Sequence, residues 1–272
     1  MPTLFLVGTP IGNLEDITLR AVRVLGEVSL IAAEDTRTSG RLLQHYNIDT
    51  PLVSYHDFSG PERIAALLAR LAQGDVALIS DAGMPGLSDP GYRLVRAAVE
   101  AGADVVPIPG PSAAVTALIS SGLPSDSFLF LGFLPRQTKA RRETLTGAAS
   151  LAHTLILYEA PHRLLDTLSD IEAILGDRQL MVGRELTKLH EELYRGTVQE
   201  ARSHFEAGPL RGEFTLVVAG AAAEEQRWNE ELVRQALVQE LASGSRRKQA
   251  VKRVAQLAGW RTRDVYRLSL EL

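Results

Sequence analysis

Val76-Ala77-Leu78-Ile79-Ser80 runs directly into Asp81-Ala82-Gly83-Met84-Pro85-Gly86-Leu87-Ser88-Asp89-Pro90-Gly91, and this junction decides the fold. The first part is an apolar run with the length of a buried strand. The eleven residues after it hold three glycines and two prolines, so the backbone there is both permissive and pre-shaped. An ordinary strand-to-helix turn rarely needs so many residues of fixed conformation. Such a loop can bring peptide groups close to a flat ligand. Helical spacing resumes over residues 92–100.

The same rhythm extends in both directions. Residues 4–8, 28–33 and 105–108 read as further strands, and 17–25, 40–46, 62–71 and 113–120 as helices. Strands alternating with helices predict a parallel α/β sheet, whose ligands sit beyond the strands' carboxyl ends. Two more loops occupy such ends. Gly8-Thr9-Pro10-Ile11-Gly12-Asn13 lacks the G-x-G-x-x-G spacing, and Pro10 removes an amide that could hold phosphate. Pro107-Ile108-Pro109-Gly110-Pro111-Ser112-Ala113-Ala114 places Ser112 to cap the helix that follows. No phosphate-binding lysine, Walker A sequence, Gly-x-Ser-x-Gly elbow or metal-type histidine spacing accompanies these loops. The ligand they suit is nucleoside-like, without a polyphosphate.

Gly122-Leu123-Pro124-Ser125 breaks the pattern. Beyond it residues 128–133, 154–158, 180–184 and 214–219 read as strands, and 192–198 as a return strand, giving a second α/β domain with more antiparallel character. After Gly220 the pattern is helical over 228–241, 247–257 and 262–268, compatible with a helix-turn-helix-like module or a dimerisation arm. The expected domains are 1–121, 122–225 and 226–272.

Composition agrees with a folded protein: of 272 residues 45% are hydrophobic and 23% charged. The absence of cysteine excludes disulfides, a catalytic thiol and thiolate zinc sites. No basic leader precedes the first apolar run, and no stretch is long enough to span a membrane, so a cytoplasmic location is expected. The net charge of −4 is uneven: residues 227–272 carry ten Lys or Arg against five Asp or Glu, leaving 19 against 28 elsewhere. Arg136, Lys139, Arg141 and Arg142 form one basic cluster; Arg246, Arg247, Lys248, Lys252, Arg253, Arg261 and Arg263 form another. Each reads either as a solvated helical face or as a footprint for nucleic acid.

Thr9-Pro10-Ile11-Gly12-Asn13-Leu14, Ala33-Glu34-Asp35-Thr36-Arg37, the stretch 80–91, Tyr158-Glu159-Ala160-Pro161-His162-Arg163 and Arg184-Glu185-Leu186-Thr187-Lys188 together resemble the tetrapyrrole methylase superfamily. More narrowly they resemble its branch acting on the ribose 2′-oxygen of a cytidine in the 16S rRNA decoding centre. The resemblance covers residues 4–272. It implies two α/β domains with S-adenosylmethionine in the cleft between them, a homodimer, and 16S rRNA or the small ribosomal subunit as partner. It carries donor contacts onto Ile11, Asp81, Ala82, Gly83, Met84, Leu87, Ser112, Ala113, Glu159, Leu186 and residues 212–217. Where tetrapyrrole enzymes have Gly-Asp-Pro, this chain has Gly83-Met84-Pro85, which removes a carboxylate.

A ribose hydroxyl is a weak nucleophile at neutral pH, and a base or a stabilising cation assists it. Glu34 and Asp35 follow an apolar strand and so fall at the sheet's carboxyl edge, with Arg37 beside them as an RNA contact. We read Glu34 or Asp35 as the base or ribose-positioning group, and Lys188 as a base or electrostatic stabiliser. A salt-bridge network across the cleft would use the same residues. The competing readings are methylation of a small tetrapyrrole and a non-catalytic RNA-binding protein.

Overall fold

The computed structural model describes residues 2–56, 58–222 and 228–272. Its first half holds β1 (Thr3–Val7), β2 (Leu30–Ala33), β3 (Leu52–Ser54), β4 (Val76–Ile79) and β5 (Asp104–Ile108). They form one sheet in the order β3-β2-β4-β1-β5, every pair parallel. Helices α1 (Leu19–Glu27) and α2 (Thr36–His45) cover one face, where Val24, Leu25 and Leu43 meet Ile31, Ala33 and Ile79. Helices α3 (Pro61–Leu71) and α4 (Tyr92–Glu100) cover the other, where Leu67, Leu71, Leu94 and Ala98 meet Leu30, Ala32 and Leu78. Burial on both faces explains why the central strands are continuous apolar runs. Strand β3 was not expected: three half-buried residues at the sheet edge carry too little pattern. Helix α1 starts at Leu19 rather than Ile17 because Thr18 caps it, accepting from the Ala21 N–H at 3.0 Å. Helix α2 starts four residues before the expected Gly40, capped by Asp35.

Helix α5 (Ala113–Ser121) leads to β6 (Phe128–Phe133), α6 (Thr138–Ala148), β7 (Thr154–Glu159), α7 (Leu164–Leu175), β8 (Gln179–Arg184), β9 (Glu192–Thr197), α8 (Val198–Glu206) and β10 (Phe214–Val218). The second sheet runs β6-β7-β10-β8-β9, with β6–β7 parallel and the other pairs antiparallel. Helix α5 lies on this second sheet: Ala114, Ala117 and Leu118 share a core with Ile156, Met181 and Val217. Ile11 and Leu186 join the same core, so residues of both halves converge there.

Residues 221–272, with 150–152, form a separate compact unit. Its helices α9 (Glu230–Ala242), α10 (Arg247–Ala258) and α11 (Thr262–Ser269) enclose Val233, Leu237, Val251, Val254, Val265 and Leu268. Trp260 donates its indole N–H to the Trp228 carbonyl at 2.7 Å, tying the start of this bundle to the turn between α10 and α11. The expected boundary at 225/226 lies outside the described residues.

Candidate active site

The three glycine- and proline-rich loops follow β1, β4 and β5, which are neighbours in the order β4-β1-β5. Adjacent strands therefore deliver them side by side at the sheet's carboxyl edge, and β2, on the far side of β4, delivers Glu34 to Arg37. Backbone bonds clamp the loops together. Thr9 and Gly83 exchange both N–H···O bonds, at 2.9 and 3.0 Å. Gly8 and Gly110 approach so closely that a Cβ on Gly8 would stand 2.8 Å from the Gly110 Cα and 2.7 Å from the Met84 sulfur. The demand for glycine at Gly8 is therefore steric. At Gly83 a Cβ would meet only ordinary contacts, the nearest 3.5 Å away on Ile11, and the demand for glycine there is conformational, at φ +81°.

Between the halves lies a cavity of about 270 Å³. Ile11, Ala82, Gly83, Met84, Leu87, Ser112 and Ala113 line it from the first half and helix α5; Glu159, Leu186 and residues 212–215 line it from the second. These are residues the resemblance assigned; of its other assignments, Leu216 and Val217 are buried behind the wall, and Asp81 is not among the lining residues and turns to the charged cluster below. Ser88, Asp89, Phe133, Tyr158, Ala160 and Pro161 also line the wall and were not assigned. Asp89 brings a carboxylate to the loop that has Met84 in place of the acidic residue. Ser112 does not cap α5 through its side chain; its hydroxyl is buried beside the Tyr158 phenol without a well-formed hydrogen bond to protein. Tyr158 instead accepts the Ala114 N–H at 3.2 Å. Burial pushes the Tyr158 phenol up, against the Ala114 hydrogen bond, so it stays neutral. A largely apolar wall with carboxylates at its margin fits a nucleoside-like ligand.

Glu159 is buried and its carboxylate is held: Thr167 donates at 2.6 Å, the Ala160 N–H at 2.8 Å, and Arg163 stands 3.5 Å away. It anchors the Ala160-Pro161 edge of the cavity. Around Leu186 the backbone is forced. Four non-glycine residues among those described have left-handed φ, and Ser88, Glu185 and Thr187 lie at or beside this cavity. Glu185 is held by a reciprocal pair: its N–H donates to the Glu213 carbonyl and its carboxylate accepts the Glu213 N–H, both at 2.9 Å. Gly12 lets the first loop lie against Leu186, Thr187 and Lys188.

The charged residues form two groups, one in each half. Lys188 Nζ donates to Glu185 at 2.8 Å and Glu213 at 3.0 Å. Burial draws the Lys188 ammonium down, but these carboxylates outweigh it and its pKa is raised. A lysine so held is a cation at neutral pH, which favours the electrostatic reading of Lys188 over the base. Asp35 chelates Arg37 and, through that side-chain hydrogen bond first, is lowered to about 2. The Asp35 N–H donates to the Asp81 carboxylate at 3.1 Å, and the Asp81 N–H to Glu34 at 3.5 Å. Burial raises Asp81, with the nearby Asp35 charge acting in the same direction. Asp81 is therefore a better proton acceptor than Asp35.

The basic clusters separate. Arg141 was expected to contact RNA but is only 5% exposed, bonded to Asp170 at 2.6 Å. Arg142 reaches the same carboxylate at 2.7 Å. Burial pushes Asp170 up, but these two hydrogen bonds outweigh it and hold it low. Arg136 and Lys139 are exposed. In the helical unit Arg246, Arg247, Lys248 and Lys252 are exposed, and Arg253 pairs with Glu240 at 3.4 Å. Arg261 and Arg263 are exposed around the start of α11. Among the described residues no group of three or more His, Asp or Glu could hold a metal ion, and no helix is long and apolar enough to cross a membrane.

This α/β pair with a cavity between its sheets is a methylase architecture, and the chain belongs to the tetrapyrrole methylases: the family described as Tetrapyrrole (Corrin/Porphyrin) Methylases matches residues 3–202. Solved structures share the fold. Uroporphyrin-III-C-methyltransferase from Thermus thermophilus is similar with a TM-score of 0.55 at 24% identity, over 80% of this chain and 94% of that one. The methyltransferase CobJ gives 0.61 at 18% identity, over 82% and 95%. Many relatives of nearly full length are named Ribosomal RNA small subunit methyltransferase I. The one from Synechocystis sp. is 51% identical over 275 residues, covering 100% of this chain and 99% of its own. The one from Bacillus subtilis is 45% identical over 272 residues, covering 98% and 93%.

Proposed function

We propose that the chain methylates the ribose 2′-oxygen of a cytidine in the decoding centre of 16S rRNA, in the cytoplasm, with S-adenosylmethionine as donor and the small ribosomal subunit as partner. The observation that carries this reading is the juxtaposition of a nucleoside-sized cavity with a cluster of charged groups at the same sheet edge. The name of the full-length relatives supports RNA as the acceptor. So do the exposed cations Arg136, Lys139, Arg247, Lys248 and Lys252 on a chain that is otherwise acidic.

Ile11, Ala82, Gly83, Met84, Leu87, Ser112, Ala113 and Leu186 would hold the donor, with Glu159 fixing one edge. When bound, it supplies a methyl on a positively charged sulfur, a carbon already activated for attack. What is left to the chain is alignment, exclusion of water and removal of one proton. The charged cluster next to the lining residue Ala82 receives the proton of the 2′-hydroxyl, on Asp81, which burial raises, or on Glu34 beside it. Asp35 keeps Arg37 extended toward the RNA backbone, and Lys188, fixed by two carboxylates, presents a permanent positive charge.

Labelled S-adenosylmethionine and undermethylated small ribosomal subunits test the whole reading, with mass spectrometry of the digested rRNA. The expected product is 2′-O-methylcytidine. Methyl on the base fragment would refute the ribose assignment. Transfer only to a tetrapyrrole would establish the competing enzyme, and failure to bind the donor the non-catalytic one.

A further inference from the structure

Strand β6 breaks its pairing with β7 at one place. Phe130 is opposite Ile156, but Gly132 is opposite Leu157 and Phe133 opposite Tyr158, so Leu131 is an inserted residue. In a regular strand, residues three apart point to opposite faces. The bulge cancels that alternation and turns Phe133 to the same face as Phe130. Both rings then pack on Tyr158, with centroids 5.1 and 5.5 Å away. Gly132 makes the turn possible at φ +59°, and a Cβ there would stand 2.8 Å from the Ser88 hydroxyl of the opposite loop.

The bulge thus aims an aromatic ring at the cavity, yet that ring is not buried. Phe133 lines the cavity while remaining 55% exposed, whereas Ile11, Leu186 and Phe214 on its inner walls are each below 10%. Phe133 stands at the rim, where an acceptor must enter, with Tyr158 supporting it from below. Among the described residues lining the cavity it is the one exposed aromatic.

We propose that the exposed face of Phe133 stacks on the base of the acceptor nucleotide and so fixes the attached ribose over the cavity. The proposal rests on RNA being the acceptor. It assigns the ring to the acceptor rather than to the donor's purine. Stacking of this kind accepts any base, so Phe133 sets the position of the nucleotide and the identity of the base is read elsewhere.

The test is a series at Phe133 in the full chain, with donor affinity measured by calorimetry and KM by titration of undermethylated small subunits. Phe133→Ala is expected to raise KM for the subunits by between about fivefold and a hundredfold, with donor Kd unchanged within about twofold. Phe133→Tyr and Phe133→Trp restore KM, and Phe133→Leu, which keeps apolar bulk without a flat face, does not. Weaker donor binding in Phe133→Ala would assign the ring to the donor. Rescue by leucine, or wild-type KM in the alanine variant, would reduce it to apolar cover. Absence of methyl transfer to RNA by the wild-type chain would overturn the proposed function, which the wild-type control reads separately.

Discussion

The two edges of the cavity reach the same end by opposite means. On the first-half edge, most of the unusual backbone falls on residues that accept it, Gly83 at φ +81°, Gly8 against Gly110 and prolines in between, with Ser88 at φ +64° the exception. On the second-half edge, Glu185 at φ +51° and Thr187 at +65° are forced into the left-handed region, and the surrounding bonds keep them there. Such residues cost of order 1–3 kcal/mol each. One edge is shaped by its own composition, the other by tertiary restraint. This predicts different failures. The first edge breaks when a side chain is added, and the second when a restraint is removed.

The largest effect belongs to Gly8. In Gly8→Ala the new methyl collides with the backbone of Gly110 and the sulfur of Met84, at 2.8 and 2.7 Å. Backbone in two clamped loops has no room to yield. Donor affinity should fall by at least about a hundredfold, with stability lowered by roughly 1–3 kcal/mol. Calorimetry and a thermal melt measure both. Near wild-type binding would show that the loops are softer than the bridge between Thr9 and Gly83 implies.

Restraints on the second edge should show in kinetics and pH. The raised Lys188 pKa means that its charge contributes stability fully below the ordinary value of 10.5 and loses it only as pH rises through the folded value. The lowered Glu185 pKa, on which burial acts upward but the Lys188 hydrogen bond prevails, contributes above 4.5 and is lost as pH falls through the folded value. Between these limits the pair is constant, so no alkaline limb below about pH 10 should come from Lys188. Asp81 is raised by burial, so the acid limb of the rate profile should lie above 3.8. Asp81→Asn should lower kcat by about 10²–10⁴-fold and abolish that limb, with donor Kd nearly unchanged. Lys188→Ala should lower kcat less. An intact acid limb in Asp81→Asn would move the proton to Glu34 or to the RNA.

The difference between the edges also marks what sequence could show. Strand–loop–helix alternation in the first half, and the loops on β1, β4 and β5, were legible because glycine, proline and apolar runs act locally. The return strand β9 was legible through its pattern. Strand β3 was too short, and Phe133 was hidden because its direction depends on a bulge between Phe130 and Gly132. Arg141 shows the limit on charge: its sequence neighbours look like a basic patch, but its partner Asp170 comes from α7, 29 residues on. Asp81 was assigned by motif to the donor, and only the fold places it against Asp35. Local signals found the elements; partners distant in sequence decided what each charged group does.

The smallest effect is also the sharpest test of the contrast, because it compares one φ region on the two edges. Thr187→Gly removes the left-handed penalty and also a buried hydroxyl that has no hydrogen-bond partner. Glycine's greater freedom in the unfolded chain offsets part of the gain, by roughly 0.5–1 kcal/mol. The net should be a rise of a few degrees at most in Tm. Donor affinity should fall a few-fold, because the turn that aims Leu186 loses its restraint. Gly83→Ala is the mirror change: the space accepts a Cβ, with 3.5 Å to Ile11, and only the backbone conformation resists. Its Tm should drop by a few degrees, for about 1–2 kcal/mol. Opposite signs would confirm that one edge is shaped by composition and the other by restraint. Two shifts of the same sign would mean that φ at these positions is not what separates them.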